Sequence, residues 1–384
     1  MKKKISILSL SLVTGIATVI TVIIPLLITA FPNNSITSIE SLVTISSLSA
    51  LISILFNEKI IELIGIKKTI LSGLLISGVM GVIPFFIASF SLILVSRIFL
   101  GIGIGLYSPH AISLISLFFE GNERNTLLGM QMGIGALGNA VLLIISGWLA
   151  KISWQHTFLI YLVTLVIFSL ILCFVPNVKY HKKGCVEVGK FNKNIINYLV
   201  LCFVTFIIIW GVQLKIPSYL VYREITSTAK AGMVLSLMNV AGMFAGFSFG
   251  YLYKKISLWL LPLGFLGAGV SVIGLLLSKS EWWILFWAVL FNFIYSYTGP
   301  TIVLKLNEVA KDSQLTKVNS FIMLSTILSS YVSPFIWNNI SKLVVNENQL
   351  LVSLWLMGMT LLIISLGLFI CIRKRKTGGI ENAY

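Results

Sequence analysis

Hydrophobic residues run along this chain in long blocks, separated by short polar stretches. The blocks lie at about 5–28, 41–56, 69–89, 92–118, 126–150, 155–175, 195–217, 227–252, 256–278, 282–304, 316–338 and 350–372. Each is close to the ~20 residues with which a helix crosses the hydrocarbon core of a bilayer. The pattern predicts twelve membrane-spanning helices. Polar positions inside the blocks are few and periodic. In the first, Ser11, Thr14, Thr18 and Thr21 fall on one stripe. That stripe is either a polar face or a set of hydroxyls bonding back to their own backbone.

The fourth block holds the stretch Ser96 to His110, which reads S-R-I-F-L-G-I-G-I-G-L-Y-S-P-H. Arg97 is the only charged residue well inside a block of the N-terminal half. At ~100° per residue, Arg97, Gly101, Gly105 and Ser108 share about one quadrant of the helix. A charge at the centre of a membrane helix costs roughly 2.5–3.5 kcal/mol on insertion scales. Arg97 therefore either faces a water-filled cavity, or snorkels to an interface while the glycines serve helix packing.

Composition fixes the class. Hydrophobic residues make up 57% and charged residues 10% of the 384, and the mean hydropathy is +1.00. A soluble fold needs far more surface charge. The expected fold class is an all-α membrane protein with twelve transmembrane helices in two pseudo-symmetric six-helix bundles. The expected domains are a bundle at 1–176, a polar and basic inner loop at 177–194, and a second bundle with a basic tail at 195–384.

The net charge of +16 follows from topology rather than from a nucleic-acid partner. With the amino terminus inside, inner segments hold 21 of the 28 lysines and arginines and outer segments only five. That bias places both termini in the cytoplasm, facing anionic lipid. The Met1-Lys-Lys-Lys start imitates a secretory signal, but its apolar run is too long and lacks a small-residue cleavage site. It reads as an uncleaved first span. Cys173, Cys185, Cys202 and Cys371 fall at or near cytoplasmic ends, where no disulfide is expected.

Other polar residues each carry two readings. Thr37-x-x-Glu40 has capping-box spacing ahead of the second span, so Glu40 is a helix cap or a proton carrier. His110 is the one group within a span that titrates near neutral pH, and it either packs or couples to protons. Lys215, near the outer end of the seventh span, is a cavity cation or an interfacial snorkel. In the tenth span Asn292, Tyr295, Ser296 and Gly299 lie on one face.

The halves match at a shift of 191 residues. Gly73 falls on Gly264, Gly78 on Gly269 and Pro109 on Pro300. Six spans plus six, both starting inside, make a parallel duplication about an axis along the membrane normal.

With these spans, this duplication, a long inner loop and the R-x-x-x-G-x-G-x-G of the fourth span, the chain resembles the major facilitator superfamily, and within it twelve-span bacterial drug and metabolite exporters. The family's inner-loop motif, roughly G-x-x-x-D-R-x-G-R-[RK], falls on Glu58, Glu62, Leu63, Gly65, Ile66 and Lys67. Here Glu62 keeps the acid, Gly65 the glycine and Lys67 the base. The exporters' fifth-span motif runs from Gly138 to Gly147, with Leu142-Leu143 in place of its glycine–proline pair and with Ser146 and Gly147 fitting.

The resemblance implies a secondary active transporter, a plasma-membrane protein working by alternating access, with efflux ahead of uptake and proton antiport as the expected coupling. Expected solute contacts are Arg97, Tyr107, Ser108, Gln213, Asn239, Asn292 and Tyr295. Glu62, Gly65 and Lys67 would gate the inner side, and His110 and Glu40 are the proton-coupling candidates. The partners are a small-molecule substrate, protons and the lipid bilayer, and the expected state is a monomer. A non-transporting membrane sensor is the alternative of a different class.

Catalytic motifs fail in context. Gly246-Phe-Ser-Phe-Gly250 has the spacing of a nucleophile elbow, yet it lies in a span and no histidine follows it. Gly133-Ile-Gly-Ala-Leu-Gly138 has the spacing of a dinucleotide loop without a preceding strand. No metal-ligand spacing and no P-loop occur in the sequence. No cofactor, metal site or enzymatic activity is expected.

Overall fold

The computed structural model describes residues 2–177, 192–223, 228–310, 314–344 and 348–377. Most of the expected central loop, with Cys185, and the end of the tail lie outside the described residues. Every regular element among them is helical. Ten helices are long and apolar enough to cross a membrane, and a bent pair, Lys2–Leu12 with Ile16–Ala30, makes an eleventh. The remaining expected span, 282–304, is present as α11 (Glu281–Tyr295) and α12 (Thr298–Val309). Each half is shorter than the ~30 Å a bilayer requires.

Two compact units share the chain: Met1–Cys185 with Leu220–Ser236, and Val186–Tyr219 with Leu237–Tyr384. The first contains α1 (Lys2–Leu12), a 3₁₀ stretch (Ile16–Ile23), α2 (Ile24–Ala30), α3 (Ile36–Ile64), α4 (Ile66–Phe86), α5 (Phe90–Tyr107), α6 (His110–Phe118), α7 (Gly121–Leu149), a second 3₁₀ stretch (Gln155–Tyr161) and α8 (Leu162–Phe174). The second is built mainly from α9 (Lys193–Tyr222), α10 (Thr228–Leu277), α11, α12, α13 (Leu315–Val344) and α14 (Gln349–Thr377). Ser257 kinks α10 and separates two apolar stretches, Lys230–Ser257 and Trp259–Leu277.

In the first unit α5 lies against both α3 and α4, and the glycine repeat explains how. A Cβ on Gly101 would collide with the Ser46 carbonyl and the Ser49 hydroxyl of α3, and one on Gly105 would lie 2.7 Å from Ser53 Cβ. Gly103, half a turn away, faces α4, where a Cβ would sit 2.6 Å from the Gly73 carbonyl. In lipid, such close backbone contact and its dispersion energy hold helices together where burial from water cannot.

Breaks in the helices are repaired by side chains. Pro109 has no N–H for the Gly105 carbonyl, which an unbroken helix would have bonded from that position. Asn57 of α3 supplies the missing donor, its Nδ2 lying 2.8 Å from Gly105 O and 3.3 Å from Leu106 O. An unpaired carbonyl in hydrocarbon costs several kcal/mol, so the pairing makes the Ser108-Pro109 break tolerable.

The second span begins differently from its capping-box spacing. Ser35 is the N-cap, its hydroxyl accepting from the Ser38 N–H at 3.1 Å. Glu40 thus lies beyond the cap and is only 1% exposed. With Ser35 at the N-cap the capping-box partner position is Ser38, and Glu40 falls two residues past it.

Candidate functional site

The first span is discontinuous at its middle. α1 stops at Leu12, and across the gap the backbone bonds run i→i−3: Val13 N–H to Leu10 O at 3.3 Å, Ile16 N–H to Val13 O at 3.3 Å and Thr18 N–H to Gly15 O at 3.1 Å. The sequence Ile16-Ala-Thr-Val-Ile-Thr-Val-Ile23 accounts for part of this. Seven of its eight side chains are β-branched and stiff at χ1, and Gly15 precedes them. Most of the hydroxyl stripe bonds back to its own helix: Thr14 to Ser11 O at 2.9 Å, Thr18 to Gly15 O at 2.9 Å and Thr21 to Thr18 O at 2.5 Å.

Side chains from other helices donate to several carbonyls of this segment. Arg97 Nη2 donates to Ala17 O at 2.5 Å and Tyr107 Oη to Val13 O at 2.8 Å. Ser146 Oγ donates to Val19 O at 3.1 Å and Tyr161 Oη to Ile16 O at 3.4 Å. The guanidinium is fixed further by Nε to Leu42 O at 2.9 Å and by Nη1 to Tyr161 Oη at 2.5 Å. Its own carbonyl accepts from Ser46 Oγ at 2.9 Å. Arg97 is 1% exposed and Tyr107 is fully buried. The expected cavity stripe is therefore resolved into two functions: Arg97 binds backbone oxygen, and Gly101 and Gly105 make helix contacts. Ser108, the last member, is the half-buried C-cap of α5.

A second polar cluster lies within the second unit. Gln213 Nε2 of α9 donates to Asn292 Oδ1 at 3.1 Å and to Tyr295 Oη at 2.5 Å, both on α11. Asn292 Nδ2 in turn donates to Met238 O of α10 at 2.5 Å, beside the half-buried Asn239. Ser296 Oγ bonds the Asn292 carbonyl at 2.6 Å. Gly242 leaves room for these groups, since a Cβ there would lie 2.9 Å from Asn292 Nδ2. Asn292 is 5% exposed, whereas Gln213 and Tyr295 are half-buried. The structure thus joins three of the expected solute contacts through direct hydrogen bonds.

Other expected residues are placed as follows. His110 is buried, with Nε2 3.2 Å from Asn57 Oδ1 and Nδ1 3.1 Å from Ser113 Oγ. Lys67 Nζ donates to Leu172 O at 2.8 Å, at the last turn of α8. Glu62 is exposed near the end of α3. Gly65 turns the chain between α3 and α4 at φ +84°, a left-handed value that favours glycine. Lys215 does not snorkel. It is 3% exposed and donates to Asn338 Oδ1 at 2.5 Å. An amide oxygen inside the bundle offers the ammonium a partner that the apolar surroundings of the helix do not.

Sequence reasoning missed Tyr161, Ser146 and Asn338. Each acts across tens to more than a hundred residues of chain, and none stands out by local pattern. Ser146 alone carried a signal, as a fitting position of the fifth-span motif.

Comparison with known proteins places this geometry in a family. The solved POT family transporter PepTSo shares the fold at a TM-score of 0.77 and 11% identity, covering 100% of this chain and 99% of its own. The inward-open xylose transporter XylE from E. coli gives a TM-score of 0.73 at 15% identity, covering 96% of this chain and 95% of its own. A curated relative, the Protein TsgA homolog of Buchnera aphidicola subsp. Schizaphis graminum, is 28% identical over 257 residues. That match spans 64% of this chain and 64% of the relative's length. Residues 6–334 match the family described as Major Facilitator Superfamily, and the chain belongs to that superfamily.

Proposed function

We propose that the protein is a secondary active transporter that moves a small organic solute across a bacterial plasma membrane by alternating access, in the direction of efflux. The observation that carries this reading is the Gln213–Asn292–Tyr295 cluster. It sets amide and phenol groups within otherwise apolar spans of a superfamily member, and two of the three are half-buried. Few polar groups on apolar walls are the common make-up of a small-molecule site. Asn239 and Ser108 complete the set of solute contacts. Arg97 and Tyr107 have polar atoms committed to backbone oxygen, so their part in transport is to position the first span.

The two-bundle division at 1–176 and 195–384, cytoplasmic termini and a monomeric state belong to the same reading, supported by the lysine and arginine bias and the internal repeat. Glu62 and Lys67, with the turn at Gly65, serve the inner gate. Proton coupling falls to Glu40, the only buried carboxylate among the described residues, ahead of His110. Burial of an acid in a membrane protein marks proton or ion pathways more often than structural sites.

Reconstitution into sealed liposomes with an imposed pH gradient tests the reading. Ethidium serves as the efflux probe and glutamate as the uptake probe. Gradient-driven ethidium movement, lost in Glu40→Gln and weakened in Gln213→Ala, is the expected result. Glutamate accumulation would replace efflux by uptake, since the missing glycine–proline pair at Leu142-Leu143 already weakens the case for efflux. Absence of flux for every solute class would leave the sensor alternative.

A further inference from the structure

We propose that Tyr161 is a positioning residue for transport, and that the 3₁₀ stretch Ile16–Ile23 which it helps to hold is a hinge in the first span. Tyr161 stands between two partners. Its hydroxyl accepts from Arg97 Nη1 at 2.5 Å and donates toward Ile16 O at 3.4 Å, while its ring lies 5.6 Å from the guanidinium carbon. One phenol therefore links the only buried arginine among the described residues to the break in the first helix.

The competition is over carbonyls. In an α-helix the Val13, Ile16 and Ala17 oxygens would accept from the N–H groups four residues on. Here the backbone donors move to three residues on, as from Ile16 N–H to Val13 O, and Tyr107, Tyr161 and Arg97 give those oxygens a second donor. Side-chain donors that satisfy the open form lower the cost of leaving the α form, and their withdrawal favours its return. A mid-helix stretch of 3₁₀ geometry commonly marks such a hinge. The change has a mechanical consequence. A 3₁₀ helix rises ~2.0 Å per residue against ~1.5 Å for an α-helix, so eight residues shorten by about 4 Å on conversion. The same step re-aims side chains, because the turn per residue drops from ~120° to ~100°. Motion of this size at the middle of a span suits a change of access.

The donors are placed so that such motion couples to the rest of the unit. Arg97 sits on α5, whose glycines fix it to α3, and Ser146 holds Val19 O from α7. The hinge is thus read by two helices at once. Its role in transport rests on the alternating-access reading above, but its existence does not.

Amide hydrogen exchange on the full chain in lipid nanodiscs tests the hinge without knowledge of the solute. Tyr161→Phe keeps the ring over Arg97 and removes only the hydroxyl. The expected result is exchange about three- to tenfold slower in residues 13–23, as loss of one donor that favours the open form lets i→i−4 bonds return, with rates in α3, α4 and α5 unchanged. A merely structural tyrosine would instead raise exchange throughout the first unit and lower the melting temperature. Unchanged exchange at 13–23 in both Tyr161→Phe and Tyr107→Phe would overturn the hinge. Ethidium flux is the second arm. Tyr161→Phe is expected to lower the maximal rate severalfold with KM unchanged, and an altered KM with an unaltered rate would make Tyr161 a solute contact. Ethidium failing to move in wild type, with the exchange result as expected, would count against the transport reading alone.

Discussion

Lys215 Nζ donates to Asn338 Oδ1 at 2.5 Å, inside a bundle where the lysine is 3% exposed and the asparagine also 3%. A charged donor in low dielectric makes a stronger bond than a neutral one, and its loss is felt. Asn338→Leu is therefore expected to destabilise the protein by about 1.5–3 kcal/mol. Asn338→Asp, which offers a carboxylate, should recover most of that loss. Thermal unfolding in detergent of the two variants decides it, and equal melting temperatures would contradict the assignment.

Asn57 stands in for the N–H that Pro109 lacks. Replacing it with leucine leaves the Gly105 carbonyl without its 2.8 Å donor. The expected cost is about 1–3 kcal/mol, that of an unmade buried bond. Pro109→Ala in the same background restores the backbone donor, so the double variant should be more stable than Asn57→Leu alone.

Gly101 has no room for a methyl group, because the Ser46 carbonyl and Ser49 hydroxyl occupy its place. Gly101→Ala is expected to part α5 from α3 at about 1–3 kcal/mol. Gly246 faces open space, with nothing within 4 Å of a Cβ. Gly246→Ala should be neutral, or stabilising by up to ~1 kcal/mol through helix propensity. A lower melting temperature for Gly101→Ala without one for Gly246→Ala distinguishes packing from backbone entropy.

Gln213 donates to both Asn292 and Tyr295, so its removal strips the cluster of its shared donor. Gln213→Ala is expected to raise KM for ethidium about tenfold, equivalent to ~1.4 kcal/mol of binding. Tyr295→Phe should do less, since the ring remains. Initial rates in proteoliposomes give both values.

At the end of α12, past the apolar stretch, Glu308 Oε2 accepts from Lys305 Nζ at 2.7 Å and Oε1 accepts from Tyr253 Oη at 3.0 Å. Burial pushes the Glu308 carboxyl up, but these hydrogen bonds and the lysine's charge outweigh it and hold it below its ordinary 4.5. The stabilisation is present above pH 4.5 and lost as pH falls through the lowered folded value. Burial pushes Lys305 down, and its bonds to Glu308 and Tyr253 outweigh that and raise it above 10.5. Its share is complete below pH 10.5 and disappears as pH rises through the raised value. Glu308 is 44% exposed, so the effect is small. The melting-temperature difference between wild type and Glu308→Gln should be positive at pH 7 and vanish in acid.

Hydrophobic periodicity alone determined the helical membrane class and most of the spans, because every backbone group in lipid must pair within its own helix or a closed barrel, and a ~20-residue apolar run leaves little else. The arginine, glycine and proline positions of the fourth span were legible for a similar reason: each is costly in a membrane helix and stands out wherever it occurs. What those residues do was decided by tertiary structure. The spacing of Arg97, Gly101 and Gly105 marks one face but does not say what meets that face. The answer is α3 for the glycines and the broken first span for the guanidinium. Likewise the Gln213–Asn292–Tyr295 cluster joins residues some 80 positions apart, and Tyr161 reaches back 145 positions to Ile16. Contacts at such separations depend on how helices are arranged. Local pattern carries no record of that, and only folded helices bring the donors to the carbonyls.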